Sequence, residues 1–205
     1  MDKMTRSARK RADIIAAARQ EFLTQGFRDT SMDQVAEQAN VSKRTVYNHF
    51  PSKEALFRAI AVELIEEMRQ AARVAYEPDR PLAEQLRLMA NREVDLIVSE
   101  SYVATFRVLL VESFALPGIA SEALASIPED EDPVARWFEA AMEDGRLAPH
   151  DVAVAAGQFY SLLKGVFFWP VIAGYGTAPL DEEREIMIDS TVRMLLKHYA
   201  SVAKD

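Results

Sequence analysis

The chain has 205 residues, of which 49% are apolar, and no cysteine. It can therefore bury a substantial core as one or two domains, while disulfides, thiolate catalysis and cysteine-based zinc sites are excluded. The net charge of −8 divides unevenly: residues 1–58 carry 11 Lys/Arg against 7 Asp/Glu (net +4), and residues 59–205 carry 13 against 25 (net −12). A basic head on an acidic body confines phosphate contacts to the head, although charge alone fits a plain solvated imbalance equally well. No uninterrupted apolar run reaches the roughly 18 residues of a membrane span, and the basic N-terminus lacks the apolar core of a secretory signal. The expectation is a cytoplasmic protein.

In chain order, residues 1–8 read as a flexible arm. Arg6, Arg9, Lys10 and Arg11 lead into a helix ending near Gln25, with Ile14, Ile15, Ala18, Phe22 and Leu23 as its buried stripe. Gly26 ends it, and Phe27 is placed to pack back. Thr30 or Ser31 caps the next helix, and Ser31 with Gln34 forms a capping box. Asn40 tolerates the left-handed backbone of a sharp exit. Ser42 caps a helix over Lys43–Phe50 that buries Val46 and Phe50 and presents Lys43, Arg44, Thr45, Tyr47, Asn48 and His49. This is the pattern of a helix-turn-helix, whose second helix enters the major groove. Ser52 opens a long helix expected to reach Tyr76, which the prolines at 78 and 81 end.

Further helices are expected over 82–99, 102–115, 119–126, 134–144, 150–173 and 181–202, with breaks at Pro117-Gly118, the acidic stretch 128–133, Gly145 and Gly174–Pro179. No alternating β pattern and no repeat is present. The fold expected is all-α, about nine helices, a three-helix head over 1–58 and a helical bundle over 59–205.

The basic first helix, G-F-x-x-T-S, the A-N-V-S turn, K-R-T-V-Y-N-H-F and P-S-K-E-A-L-F resemble the TetR/AcrR family. The likeness is dense over about residues 9–60. It implies a homodimeric transcription regulator, usually a repressor, which binds a palindromic double-stranded operator and releases it when a small molecule enters the body. The resemblance puts Thr30 or Ser31, and Lys53, at phosphates, Tyr47 and His49 on the backbone, and Lys43, Arg44 and Thr45 at base edges. Ser42 and Asn48 complete the candidate DNA-binding set. Many members have Gly in place of Asn40 and Gly or Ala in place of Arg44. Arg44 can read guanine O6 and N7, or contact a phosphate.

The candidate effector pocket is Phe106, Leu110, Phe114, Trp137, Phe159, Leu163 and Phe167; ordinary core packing is the alternative role for each aromatic. Arg107, Glu112, Gln158 and Lys164 either supply its polar contacts or face solvent. Ala153, Gly157, Ser161 and Gly165 recur at i, i+4. They mark a close helix approach, either from a second copy or within the chain, and Val192 and Leu196 join them as candidate dimer contacts. An enzyme is disfavoured. His49, His150 and His198 lack metal-ligand spacing, and no nucleophile-elbow, P-loop or dinucleotide motif occurs. No cofactor or metal is implied. The rival reading is a helix-turn-helix adaptor or activator without a ligand.

Overall fold

The computed structural model describes residues 5–115, 118–125 and 132–200. Its regular elements are helices, and among the described residues the β-type pairing is an isolated Leu147–Ala200 bridge. The chain divides into two compact units: Met1–Ile65 with Ala104–Ile127, and Glu66–Val103 with Pro128–Asp205. Packing thus groups residues 104–127 with the head, a grouping that a single cut after residue 58 does not contain.

In the first unit, α1 (Arg6–Gln25) starts where the Thr5 hydroxyl accepts from the Ala8 N–H. Residues 6–8 are therefore helical rather than an arm, and residues 1–4 lie outside the described residues. Gly26, at φ +83°, releases the chain. Phe27 then packs edge-on against Phe22 and Phe57, at 5.1 and 5.2 Å between ring centroids. α2 (Met32–Gln38) carries the full capping box: Ser31 accepts from Gln34 N–H, and the Gln34 side chain accepts from Ser31 N–H. Asn40 takes φ +52° and turns the chain towards α3 (Lys43–His49), capped by Ser42. α4 (Lys53–Ala71) begins with Ala55 N–H donating to Ser52 Oγ.

Ile14, Ile15, Val35, Val46, Leu56, Phe57 and Ile60 are nearly inaccessible, so α1, α2, α3 and the start of α4 share one core. Its later partners are the C-terminal part of α6 (Glu100–Ala115) and α7 (Ile119–Ala125). Arg19 donates to Thr105 Oγ1 at 2.7 Å, Arg58 pairs with Glu122 at 2.9 Å, and Arg28 lies 3.7 Å from Glu112.

The second unit opens with a departure from periodicity. α4 stops at Ala71, five residues before the expected Tyr76. Tertiary contacts override helix propensity there. Tyr76 packs edge-on against Trp137, its hydroxyl donates to Asp144, and Arg146 donates to the Pro78 and Arg80 carbonyls. Gln85 closes the segment: its amide donates to the Glu77 and Arg80 carbonyls, while its carbonyl accepts from Glu77 N–H and Trp137 Nε1.

α5 (Leu82–Ile97) buries one face against α11 (Asp181–His198). Arg87–Asp189 and Arg184–Asp95 ion pairs hold the two together at 2.5 and 2.7 Å. α8 (Pro133–Glu143) has Asp132 as its N-cap, with Pro133 at the first helical position as expected. The acidic residues 128–131 before it, and Pro117, lie outside the described residues.

The expected helix over 150–173 is α9 (Val152–Leu163), then five residues wound as a π-helix (Lys164–Phe168), then α10 (Trp169–Ala173). Val152–Ala173 is 22 residues and, by length and composition alone, is apolar enough to cross a membrane. That corrects the expectation that no stretch qualifies. Gln158, Ser161 and Lys164 punctuate it, while Phe159, Leu163, Phe167 and Phe168 are buried in the protein. α11 closes at His198, short of the expected Val202, which lies outside the described residues.

Candidate nucleic-acid interface and sensor body

The cap residues fix where α3 begins, and Val46 and Phe50 fix which side it buries. The opposite side then projects Lys43, Arg44, Tyr47 and Asn48, all exposed, at i, i+1, i+4 and i+5. Tyr47 is 44% exposed, unusually open for a large ring. Lys43 donates to Asp33 of α2, and this hydrogen bond holds its ammonium above the ordinary lysine range. Both partners are more than half exposed, so water screens the pair. The Arg44 guanidinium has no partner among the described residues. The Thr45 and Ser42 hydroxyls lie 2.8 Å apart. His49 is half-buried with its ring tilted against Phe50, and Arg11 of α1 stacks over the Phe50 ring at 5.2 Å.

Two predicted contacts are spent inside the unit. Thr30 is 2% exposed, and its hydroxyl donates to the Gly26 carbonyl at 2.8 Å. Its side chain is therefore a brace for the α1–α2 turn rather than a phosphate ligand. Lys53 is half-buried; its ammonium donates to the Arg28 and Thr30 carbonyls and sits 4.7 Å from the Phe27 centroid. A charge with three such partners is committed to the turn. Ser31, also predicted, is exposed but serves as the α2 cap.

The residues predicted for a pocket separate. Phe106, Leu110 and Phe114 belong to the first unit, and Trp137, Phe159, Leu163 and Phe167 to the second. Phe114 is 80% exposed, so it lines no interior space within the chain. Phe159, Leu163 and Phe167 are wholly inaccessible. Trp137 borders a pocket of about 340 Å³ beside Val74, Tyr76 and Arg136.

On α9 and the π segment, Ala153, Gly157, Ser161 and Gly165 are all exposed. A Cβ on either glycine would meet nothing within 4 Å, which withdraws a close approach from within the chain. Val192 is 1% exposed and packs inward, so it is removed from the candidate dimer face; Leu196 is half-buried beside Arg87 and Asp189. Val154, Val166, Trp169, Ile186 and Met194 are open apolar residues from α9 to α11. Sequence reasoning missed Glu93, which is wholly buried on α5 and in register with Leu86, Ala90 and Ile97. That register was its only signal.

The family described as "Bacterial regulatory proteins, tetR family" matches residues 14–60, and "AefR-like transcriptional repressor, C-terminal domain" matches 84–201. The chain belongs to the TetR family. It is similar to the regulator RutR of Escherichia coli (strain K12), 33% identical over 153 residues, 71% of this chain and 67% of RutR. YhgD of Bacillus subtilis is 44% identical over 73 residues, a match spanning only 38% of YhgD and 36% of this chain.

Among solved structures, a TetR-family regulator from Pseudomonas syringae pv. tomato is 36% identical, with a TM-score of 0.77 over 95% of this chain and 98% of that one. The flavonoid-responsive regulator FrrA is 34% identical, with a TM-score of 0.77 over 95% of this chain and 99% of its own. These TetR relatives are transcriptional regulators rather than enzymes, and this chain is a DNA-binding transcriptional regulator.

Proposed function

We propose that this TetR regulator is a cytoplasmic homodimeric repressor that grips a palindromic operator with α3 and lets go when a small apolar or amphiphilic molecule enters its body. The observation that carries the DNA half is the exposed Lys43–Arg44–Tyr47–Asn48 face on a helix capped at its start and anchored by Val46 and Phe50. Arg44 reads a guanine edge, Lys43 and Tyr47 grip backbone, and Ser42, Thr45, Asn48 and His49 complete the surface. Residues 1–58 are the DNA-binding part and 59–205 the sensing and dimerising part.

A second copy covers the open small-residue face of α9 and the π segment. Among the described residues, nothing lies within 4 Å of a Cβ placed on Gly157 or Gly165, and apolar Val154, Val166 and Trp169 flank them. Gly157→Leu is expected to halve the mass seen in sedimentation; an unchanged mass rejects this face. The boundary between the compact units falls inside α4 and inside α6. Ligand-induced repacking therefore moves the heads through these two helices. Half-sites about 34–36 Å apart tolerate little change in separation. A ligand acts only through its different affinities for the two arrangements. FrrA's response to flavonoids supports an aromatic effector.

The test is operator affinity with and without a compound that binds the body: a bound compound that leaves affinity unchanged rejects release. The second reading is activation, favoured by FasR of Mycolicibacterium smegmatis, an activator 24% identical over 89% of this chain. A reporter driven from the selected operator separates the two signs.

A further inference from the structure

Glu93 is wholly inaccessible, and neither carboxyl oxygen has a hydrogen-bond partner. An orphaned buried carboxyl is costly and uncommon, and where one persists it usually has a use. Several charged groups surround it, and none hydrogen-bonds to it; Lys164 acts on it only through space. Lys164, on the π segment that packs on α5, holds its ammonium 5.6 Å from the Tyr160 ring centroid. Asp132 accepts from Val134 and Ala135 N–H as the α8 cap, and Tyr160 donates to it at 3.5 Å. On α11, Arg184 pairs with Asp95 and Asp189 with Arg87. Arg69 acts on Tyr160 from α4.

Resting on the ligand-sensing reading above, we infer that Glu93 is the polar anchor of the effector site and accepts a hydrogen bond from a hydroxyl on an otherwise apolar, uncharged ring compound. Three observations converge on it. The ionised carboxylate can only accept, and among the described residues no donor reaches either oxygen. Asp132 adds a second negative charge nearby, which disfavours an acidic ligand. Five residues of π-helix lie against the same helix, a distortion found chiefly at functional sites, and bring buried Phe167 and Phe168 there. Burial pushes the Glu93 carboxyl up to about 7, with Lys164 opposing and Asp132 reinforcing the shift. A hydroxyl donates best to the ionised form. Binding must then tighten as pH rises through neutrality.

The probes are phenol, naphthol and hydroxybiphenyl, each beside its methyl ether and its carboxylic acid analogue, titrated calorimetrically into the DNA-free full chain. The expected result is that at least one phenol binds at least ten-fold tighter than its ether and acid, and about ten-fold tighter at pH 8 than at pH 6. Glu93→Gln, which keeps an acceptor oxygen but cannot ionise, should remove the pH preference, and Glu93→Met, which keeps no comparable acceptor, should remove the preference for phenol over ether; both are checked for folding by circular dichroism. The wild-type pH series needs no variant and stands if either variant does not fold.

Ethers binding as well as phenols, a flat pH series, or a folded Glu93→Met with wild-type selectivity would each overturn the anchor while leaving a ligand-sensing body intact. A complete lack of binding by all probes would overturn the anchor as well. Selective binding through Glu93 without operator release would uphold the anchor and reject only the release mechanism.

Discussion

The two compact units treat their buried polar groups differently. In the first, Thr30 is bonded to the Gly26 carbonyl, and the half-buried Lys53 satisfies two carbonyls and a ring. In the second, Gln85 is fully used, yet both Glu93 oxygens and Arg184 Nε lack partners; among the described residues, these are the buried side-chain atoms left so. A fully satisfied network specifies one arrangement, whereas an unpaired buried polar group is costly. A unit that must present α3 at fixed geometry suits the first condition. The responsive unit of the proposed function suits the second.

The comparison breaks most readily at Phe57, 1% exposed and packed edge-on against Phe27. Phe57→Ala should cost about 3–5 kcal/mol in chemical denaturation and abolish operator binding. Next is Glu93→Met. The carboxyl titrates near 7 in the folded chain against an ordinary 4.5. The raised value means that the wild type keeps its full stability below about pH 4.5 and loses it as pH rises through about 7. The methionine variant should thus gain roughly 3 kcal/mol at most above neutrality and little from this source near pH 4.5. Thermal unfolding at both pH values checks the sign.

Arg44→Ala should remove about 1–3 kcal/mol of discrimination at one operator position without changing stability, read by competition binding against single-base variants. An equal loss on every sequence would reassign Arg44 to phosphate. Ser31→Ala, which breaks the capping box, should cost about 1 kcal/mol in denaturation.

What could be read from the sequence was local. Gly26, Ser31 with Gln34, Asn40 and Ser42 act within a turn of themselves, so their spacing is enough to predict their conformations. The family resemblance rests on those same residues. Features decided by distant partners were not readable. α4 ends at Ala71 because Trp137, Asp144 and Arg146 claim Tyr76 and the turn after it, some 60–75 residues along the chain. Val192 and Leu196 share an apolar pattern, and only the position of α5 buries one more deeply. Thr30 looked like a surface hydroxyl until Gly26 claimed it. Glu93 lay within a helical pattern whose burial was clear but whose missing donor required three other elements to be in place.

The first unit is discontinuous in sequence: Arg19, Arg28 and Arg58 wait for Thr105, Glu112 and Glu122. During synthesis the helix-turn-helix leaves the ribosome well before its supporting α6 and α7. At roughly 5–20 residues per second, the 60 or so intervening residues take about 3–12 s. A nascent head therefore exists for seconds without its cross-braces, and a fragment ending near residue 65 would be arrested in that state.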